Sequence, residues 1–187
     1  MNDARTELLD ISLSLFSERG YEGVGVQEIV DAAGVTKPTL YHHFGSKRGL
    51  LAKLLAEKLE PFLYRFQRAA LHQDDLPLAL NRVARLTFEF AAQEPQFYRF
   101  LLSLGVAPTG GEPARVFASY ASRWNEMLVQ LFAAASNPRV HSRAHRLALT
   151  FLGELNTWIA LALQEGQALD QDLAFQAVHQ YMHGIYA

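Results

Sequence analysis

Residues 26–44, VQEIVDAAGVTKPTLYHHF, have the pattern of two short helices joined by a tight turn. The first helix is predicted to end at Gly34, because glycine readily adopts the left-handed backbone conformation that such a turn requires. Thr36 is a good N-cap for the second helix. Pro38 follows in the first turn of that helix, where a missing N–H costs little. The segment therefore predicts a helix-turn-helix.

The side chains of this segment divide into an apolar and a polar set. Ile29, Val35 and Leu40 are expected to form a small internal core between the two helices. The side chains left to point outward from the second helix are those of Lys37, Thr39, Tyr41 and His42. A second helix that presents polar side chains in this way is the element that enters the major groove of DNA.

The charge distribution around the segment also favours contact with nucleic acid. No Asp or Glu occurs over residues 32–56, and the cations in this stretch are Lys37, Lys47, Arg48 and Lys53. The whole chain has a formal net charge of −2, so the stretch is a local exception. Cations of this kind neutralise phosphates and release counterions. A solvated helix face explains most charge runs, but the turn geometry beside this one favours DNA binding.

Residues 5–51 resemble the TetR family of transcriptional regulators, and the string AGVTKPTLYHHFGSK is highly specific for that family. The resemblance implies that this region binds operator DNA. Tyr41 and Lys47 would contact phosphates and position the module. Lys37, Thr39 and His42 would read the edges of bases.

Two positions depart from the family pattern, and one of them is Val30, which stands where a small alanine is usual. Members usually carry a hydroxyl residue where this chain has Gly25, which can cap a helix but cannot offer a hydroxyl to a phosphate. We expect Gln27 to make that contact instead. The complete set of expected DNA-binding residues is Gln27, Thr36, Lys37, Pro38, Thr39, Tyr41, His42 and Lys47.

The rest of the chain is predicted to be helical, since apolar residues recur at helical spacing and no β-alternation persists. A fourth helix is expected after the cap Ser46, and later helices over about 114–135, 140–165 and 172–186. The predicted fold is all-α, with about nine helices. It consists of an N-terminal three-helix helix-turn-helix DNA-binding module (residues 1–50) and a helical-bundle domain (residues 51–187). The resemblance implies that this bundle binds an effector and that its last two helices form the dimer interface.

Aromatic side chains concentrate in the predicted bundle. Core packing accounts for most of them, but several belong to apolar helices and carry polar groups that could face a ligand cavity. Glu154 lies between Leu152 and Leu155, and a buried carboxylate there would need a partner. The candidate effector-binding residues are Tyr120, Trp124, Glu154, Asn156 and Trp158.

Two histidine pairs, His141 with His145 and His179 with His183, have the i, i+4 spacing that places both rings on one helix face. Two ligands do not make a metal site, and solvated or interface histidines are the interpretation we favour. We expect neither a metal nor another cofactor. The chain lacks a paired nucleophile and base and a glycine-rich phosphate loop, so no catalytic residues are predicted.

These features predict a homodimeric regulator that binds double-stranded operator DNA and a small, largely apolar effector. A repressor released by the effector is the first hypothesis. The alternative is a transcriptional activator, or an effector-independent DNA binder, of the same fold. The absence of Cys fits a reducing cytoplasm. The first twenty residues lack a secretory signal and no run of about 18 apolar residues occurs, so no membrane contact is expected.

Overall fold

The computed structural model describes residues 4–71, 75–107 and 110–184, and within these ranges the regular elements are all α-helices. This confirms the predicted all-α class. In chain order the helices are α1 (Ala4–Arg19), α2 (Val26–Ala32), α3 (Lys37–Phe44), α4 (Lys47–Ala70), α5 (Leu76–Gln93), α6 (Pro95–Gly105), α7 (Glu112–Ala133), α8 (Pro138–His141), α9 (Ala144–Glu165) and α10 (Gln171–His183).

The helix expected over residues 140–165 is in fact two helices, α8 and α9, which raises the number above nine. Asn137 caps α8 by accepting a hydrogen bond from the backbone N–H of Arg139 at 3.0 Å. The N–H of Arg143 then bonds the carbonyl of Val140, three residues back, at 3.0 Å. This tighter bond ends the first helix and leaves Arg143 in a non-helical conformation before α9 begins.

One other predicted boundary falls outside the described residues. Residues 185 and 186, the expected end of the last helix, lie outside the described residues, and α10 ends at His183. Residues 108 and 109, between α6 and α7, also lie outside them.

Contacts between Cα atoms group the chain into two compact units. The N-terminal unit comprises Met1–Glu60 and Gln96–Ser119, and the C-terminal unit comprises Pro61–Pro95 and Tyr120–Ala187. These units are defined by which residues pack together. The boundary predicted at residue 50 separates a DNA-binding domain from an effector-binding domain, and it stays a prediction.

The predicted helix-turn-helix contributes buried residues to the core of the N-terminal unit. Ile29 and Leu40 are fully buried, as expected, while Val35 is half-buried. Burial of each large aliphatic side chain contributes about 1.5–3 kcal/mol. From α1, the buried ring of Phe16 lies 5.9 Å from that of Phe100, measured between centroids. The short helices α2 and α3 are thus held by tertiary packing.

The turn between α2 and α3 has the predicted geometry. Gly34 has a φ of +62°, in the left-handed region. Its N–H bonds the carbonyl of Asp31 at 3.2 Å, and the next N–H, of Val35, bonds the carbonyl of Val30 at 3.0 Å. These two bonds use the free carbonyls at the end of α2.

The C-terminal unit is built on α5, which packs against α9 and α10. Aromatic rings fill its core. Phe62 stacks on Phe90 with centroids 4.4 Å apart, and Phe151 lies 4.9 Å from Tyr181, edge to face. Such pairs add about 0.5–1.5 kcal/mol to the burial of the rings.

Within the described residues, α9 is the one helix whose length and apolar composition would suffice to cross a membrane. Core helices of globular proteins have the same composition. In α9, Phe151, Leu155 and Ile159 are buried within the unit, while Leu149 and Leu161 are 60% and 47% exposed. The apolar character of α9 therefore comes from a core face and a second, uncovered set of residues.

Gly34→Ala is expected to lower the free energy of unfolding by about 1–2 kcal/mol, because a Cβ at this φ is sterically penalised. The added Cβ would meet no atom within 4 Å, so no steric clash with a neighbouring residue adds to the backbone strain. Chemical denaturation followed by circular dichroism measures it. Gly105→Ala is the matched control, since its Cβ also has open space and its φ lies outside the left-handed region. Equal stability of the two variants would contradict the prediction.

Candidate functional site

Helix α3 begins at a side-chain cap. The Thr36 hydroxyl accepts a hydrogen bond from the N–H of Thr39 at 3.4 Å and lies 2.9 Å from the Thr39 hydroxyl. Pro38 occupies the first turn. These contacts confirm the predicted start of the helix. The one fully buried side chain described for α3 is Leu40, so the helix is anchored along one line and presents its other side chains outward.

The expected DNA-binding residues lie on and beside this outward surface. Gln27 is exposed, but its amide nitrogen donates to the Asp31 carboxylate at 2.7 Å, so a phosphate contact requires that bond to open. Thr39 and Lys47 are half-buried. The others, Thr36, Lys37, Pro38, Tyr41 and His42, are exposed. Their contacts with DNA stay predictions.

The start of α4 is a second place suited to a phosphate. The Ser46 hydroxyl accepts a hydrogen bond from the N–H of Gly49 at 2.9 Å, which confirms Ser46 as the cap. The N–H groups of Lys47 and Arg48 belong to the first turn and have no acceptor within the helix. Free amides and the helix dipole together favour an anion at this end.

Sequence reasoning missed the role of Gly49. A Cβ on this residue would lie 1.9 Å from the carbonyl oxygen of Phe44, so glycine alone lets α4 follow α3 so closely. A glycine early in a helix was the available signal. Sequence reasoning counted Arg48, an exposed cation beside Lys47, in the charge pattern but left it out of the expected DNA-binding set. Its signal was the acid-free stretch that contains it.

The side chain of Lys47 is held against an aromatic ring. Its Nζ lies 4.0 Å from the centroid of the Tyr21 ring, a cation–π contact of a kind that contributes about 0.5–2 kcal/mol, and more as the site is buried. Burial lowers the pKa of Lys47 from its usual value, while the nearby carboxylates of Glu22 and Glu112 oppose that shift. The arrangement restricts where the ammonium group can point.

Tyr21 in turn is tied to the first turn of α7. Its hydroxyl donates a hydrogen bond to the carboxylate of Glu112. Burial, followed by the contact with Glu112, raises the pKa of Tyr21 above its usual value, so the phenol stays protonated. A chain of contacts within the N-terminal unit therefore runs from Glu112 through Tyr21 to the cation at the start of α4.

The candidate effector residues lie on α7 and α9 of the C-terminal unit. Trp124 is buried and lies edge-on to Phe62, with centroids 4.8 Å apart. Tyr120 lies one turn before it, and both Tyr120 and Asn156 are half-buried.

Three buried polar atoms of this unit have no hydrogen-bond partner within the described structure. They are Trp124 Nε1, Asn125 Oδ1 and Glu154 Oε1. Two of them belong to predicted effector residues, whereas Asn125 was missed, although it follows Trp124 directly in the sequence. An unpaired buried polar atom costs about 1–3 kcal/mol.

Glu154 has an unusual electrostatic environment. Burial raises the pKa of its carboxyl group, and a hydrogen bond with Trp158, one turn away on the half-buried side of α9, opposes part of that shift. The bond leaves Oε1 unpaired. The ionised form of this carboxyl group is therefore less stable than that of a glutamate exposed to water.

The two histidine pairs have different surroundings. The expectation that His141 and His145 share one helix face is wrong, because the helix is interrupted between α8, which ends at His141, and α9, which contains His145. The rings of His179 and His183 lie 4.6 Å apart on the exposed side of α10. Nδ1 of His141 lies 2.6 Å from the carbonyl oxygen of Ala133, which occupies that nitrogen. No group of three potential metal ligands occurs in the part of the chain that the structure describes.

Glu154→Gln is expected to raise the free energy of unfolding near pH 8, because an amide avoids the cost of burying a charge. The folded pKa is raised, so the stability of the wild type is fully present below the unfolded pKa of about 4.5 and falls as pH rises through the folded pKa. The gap between variant and wild type should therefore shrink at about pH 4. Urea denaturation at both pH values measures it, with the exposed Glu126→Gln as the control. A gap independent of pH would refute the prediction.

Comparison with known proteins places this site in a family. Residues 8–54 match the bacterial regulatory proteins of the tetR family. The chain is 35% identical over 85 residues to the HTH-type transcriptional repressor KstR2 of Rhodococcus jostii, which is 46% of this chain and 42% of that repressor. It is 25% identical over 183 residues to the HTH-type transcriptional activator FasR of Mycolicibacterium smegmatis, covering 98% of this chain and 83% of FasR.

The fold is shared more widely than the sequence. The transcriptional regulator FadR from Bacillus subtilis, solved in complex with stearoyl-CoA, superposes with a TM-score of 0.77 at 16% identity, covering 96% of this chain and 98% of FadR. The local match covers the capped helix-turn-helix, and the structural likeness covers the whole helical chain. Residues 8–54 of this chain therefore carry the DNA-binding region of the tetR family of bacterial regulatory proteins, and the chain as a whole shares the fold of the solved regulator.

Proposed function

We propose that the chain is a cytoplasmic transcriptional repressor that binds operator DNA as a homodimer and is released from it by a small, largely apolar effector. The observation that carries this proposal is the capped helix α3, which is anchored through Leu40 and exposes Lys37, Tyr41 and His42. Residues 1–50 would form the DNA-binding domain, and residues 51–187 would bind the effector and the second subunit. The similarity to the KstR2 repressor supports repression rather than activation.

The proposed DNA-binding surface would make two kinds of contact, one with phosphates and one with bases. Tyr41, Lys47 and the free amides at the start of α4 would bind phosphates and fix the position of α3. Lys37, Thr39 and His42 would read base edges in the major groove. The cation–π contact with Tyr21 would limit the positions available to Lys47 and so favour one docking register.

The proposed dimer interface consists of α9 and α10. These helices carry large apolar side chains exposed to solvent: Leu149, Leu161, Phe175 and Met182, with exposed fractions of 60%, 47%, 60% and 40%. A second copy that covers them would remove this apolar surface from water. Two-fold symmetry would then place two recognition helices about one duplex turn apart, on a near-palindromic operator.

The effector would occupy the neighbourhood of the unpaired atoms of Trp124, Asn125 and Glu154. Apolar and aromatic walls with a few polar atoms suit a largely apolar molecule that carries a polar group. Because the FadR neighbour was solved in complex with stearoyl-CoA, the first effectors to test are a long-chain fatty acid, which is small and largely apolar, and its larger, charged CoA thioester. Release from DNA requires the effector to bind one conformer more tightly than the other, since equal affinity shifts no equilibrium.

A transcriptional activator is the second candidate function, and the similarity to FasR over 98% of this chain favours it. Both functions use the same DNA contacts. They differ in the sign of the response, so a reporter on the regulated promoter separates them. Deletion of the gene raises the reporter signal for a repressor and lowers it for an activator.

Lys37→Ala and Lys47→Ala are expected to weaken DNA binding in different ways. Lys37→Ala should cost about 1–3 kcal/mol on operator DNA and little on unrelated DNA, because a base contact is lost. Lys47→Ala should weaken binding to all DNA and lower the salt dependence by about one counterion. Fluorescence anisotropy with the promoter DNA upstream of the gene and with a scrambled duplex measures both effects.

The matched control for these variants is Arg139→Ala, which removes an exposed cation from α8. It should leave both affinities unchanged. Thermal unfolding of each variant separates loss of contact from loss of fold, because Lys47 also contacts Tyr21. Folded Lys37 and Lys47 variants with wild-type affinity for both duplexes would contradict the proposed DNA-binding surface.

The double variant Leu161→Asp, Phe175→Asp is expected to be monomeric in sedimentation velocity and to bind the full operator more weakly. Its carboxylates would have to be buried in the interface without partners. Leu78→Asp is the control, because Leu78 is also apolar and 52% exposed but lies on α5. A double variant that stays dimeric at the protein concentrations of the wild type would exclude this interface.

A further inference from the structure

A cleft with a volume of about 910 Å³ lies on the C-terminal unit, between the end of α4, the outward side of α5 and the start of α10. Small-molecule sites usually measure about 300–1,000 Å³. Four arginines line this cleft, two on α4 and two on α5: Arg65, Arg68, Arg82 and Arg85. The proposed DNA contacts, dimer interface and effector residues use none of them.

Two of the arginines are fixed by contacts within the chain. The Nε and Nη2 atoms of Arg82 donate to the carbonyl oxygens of Ala69 at 3.3 Å and Leu71 at 2.8 Å, which close the end of α4. Nη2 of Arg65 lies 3.0 Å from the carboxylate of Glu89. These contacts join α4 to the residues of α5 that line the cleft and give it a defined shape.

The two carboxylates in the lining already have partners. Glu89 binds Arg65 and also accepts a hydrogen bond from the Gln93 amide at 3.1 Å. Asp170 caps α10 by accepting the N–H of Leu173 at 2.9 Å. Four arginines against two carboxylates give the lining a formal charge of +2, in a chain whose net charge is −2.

The remaining cations are the exposed side chains of Arg68 and Arg85, which face the cleft from α4 and α5. No carboxylate pairs with either of them among the described residues around the cleft. Like charges on one concave surface repel each other, and an anion bound between them would remove that repulsion. Their planar donor groups match the oxygens of phosphate.

An aromatic ring stands beside these cations. Tyr64 lines the same cleft and is 62% exposed, while Leu86 and Leu169 supply apolar walls. A solvent-exposed ring next to phosphate-binding groups is a stacking surface for a nucleobase. We propose that this cleft binds a nucleotide with at least two phosphate charges, its phosphates on Arg68 and Arg85 and its base on Tyr64.

Titration calorimetry of the full-length protein at constant ionic strength tests the proposal with three probes: ADP, inorganic pyrophosphate and adenosine. ADP should bind, pyrophosphate should bind more weakly, and adenosine should give no heat at the same concentrations. The double variant Arg68→Ala, Arg85→Ala should bind ADP at least about tenfold more weakly, because hydrogen bonds to charged groups are lost. If the wild type takes up no ADP at millimolar concentration, the proposal is wrong.

A charge-matched control is the double variant Arg115→Ala, Arg139→Ala, which removes two exposed arginines that do not line the cleft. It should bind ADP as the wild type does. An equal loss in this control would mean general charge attraction and would overturn the site.

Tyr64→Leu tests the base contact, since it keeps an apolar side chain and removes the ring. It should weaken ADP binding several-fold and leave pyrophosphate binding unchanged. If pyrophosphate binds as tightly as ADP and Tyr64→Leu has no effect, the cleft is a simple phosphate site and the nucleotide proposal is overturned.

The nucleotide proposal and the proposed function rest on different observations, and a DNA-binding measurement tests them separately. The variant Arg68→Ala, Arg85→Ala should bind promoter DNA with wild-type affinity when no nucleotide is present. A loss of DNA affinity in this folded variant would assign the arginines to DNA and overturn the nucleotide site. A wild type that binds ADP but no DNA would instead refute the proposed function alone.

Discussion

The helix-turn-helix depends on the reversal of the backbone at Gly34. The left-handed φ of +62° at this residue turns the chain so that the N–H of Val35 reaches the carbonyl of Val30. The same reversal lets Ile29 and Leu40 share one buried core. Because α3 has only eight residues, its own hydrogen bonds stabilise it little. Its direction, and therefore the direction of Lys37 and Tyr41, follows from the turn and from the anchor that Leu40 provides.

The junction between α3 and α4 adds a second constraint. Gly45 has a φ of +72°, and Gly49 passes so close to the carbonyl of Phe44 that no side chain would fit. This closeness brings the capped start of α4 next to the end of the exposed helix. The phosphate-binding groups proposed for α4 therefore have a fixed relation to the base-reading groups proposed for α3. Lys47 contacts Tyr21, and Tyr21 donates a hydrogen bond to Glu112, so the start of α4 is also tied to the first turn of α7.

The C-terminal unit combines a conventional aromatic core with three departures from ordinary packing. Apolar side chains such as Phe175 are exposed on α9 and α10, polar atoms such as Trp124 Nε1 are buried without partners, and arginines gather around one cleft. Each departure is unfavourable for an isolated chain. A second subunit, a largely apolar effector and an anionic ligand would relieve them in turn, and these are the three partners proposed for this unit.

The amino-acid sequence alone determined the helical class, the turn at Gly34, and the caps at Thr36 and Ser46. These features rest on backbone conformation and on hydrogen bonds between residues a few positions apart, so local sequence is enough to specify them. Only the tertiary structure decided that Gly49 must lack a side chain, that Glu154 keeps an unpaired oxygen, and that α4, α5 and α10 surround one arginine-lined cleft. Burial, steric contact and the summed charge of a cleft depend on residues that are distant in the sequence, and their proximity exists only once the helices have packed.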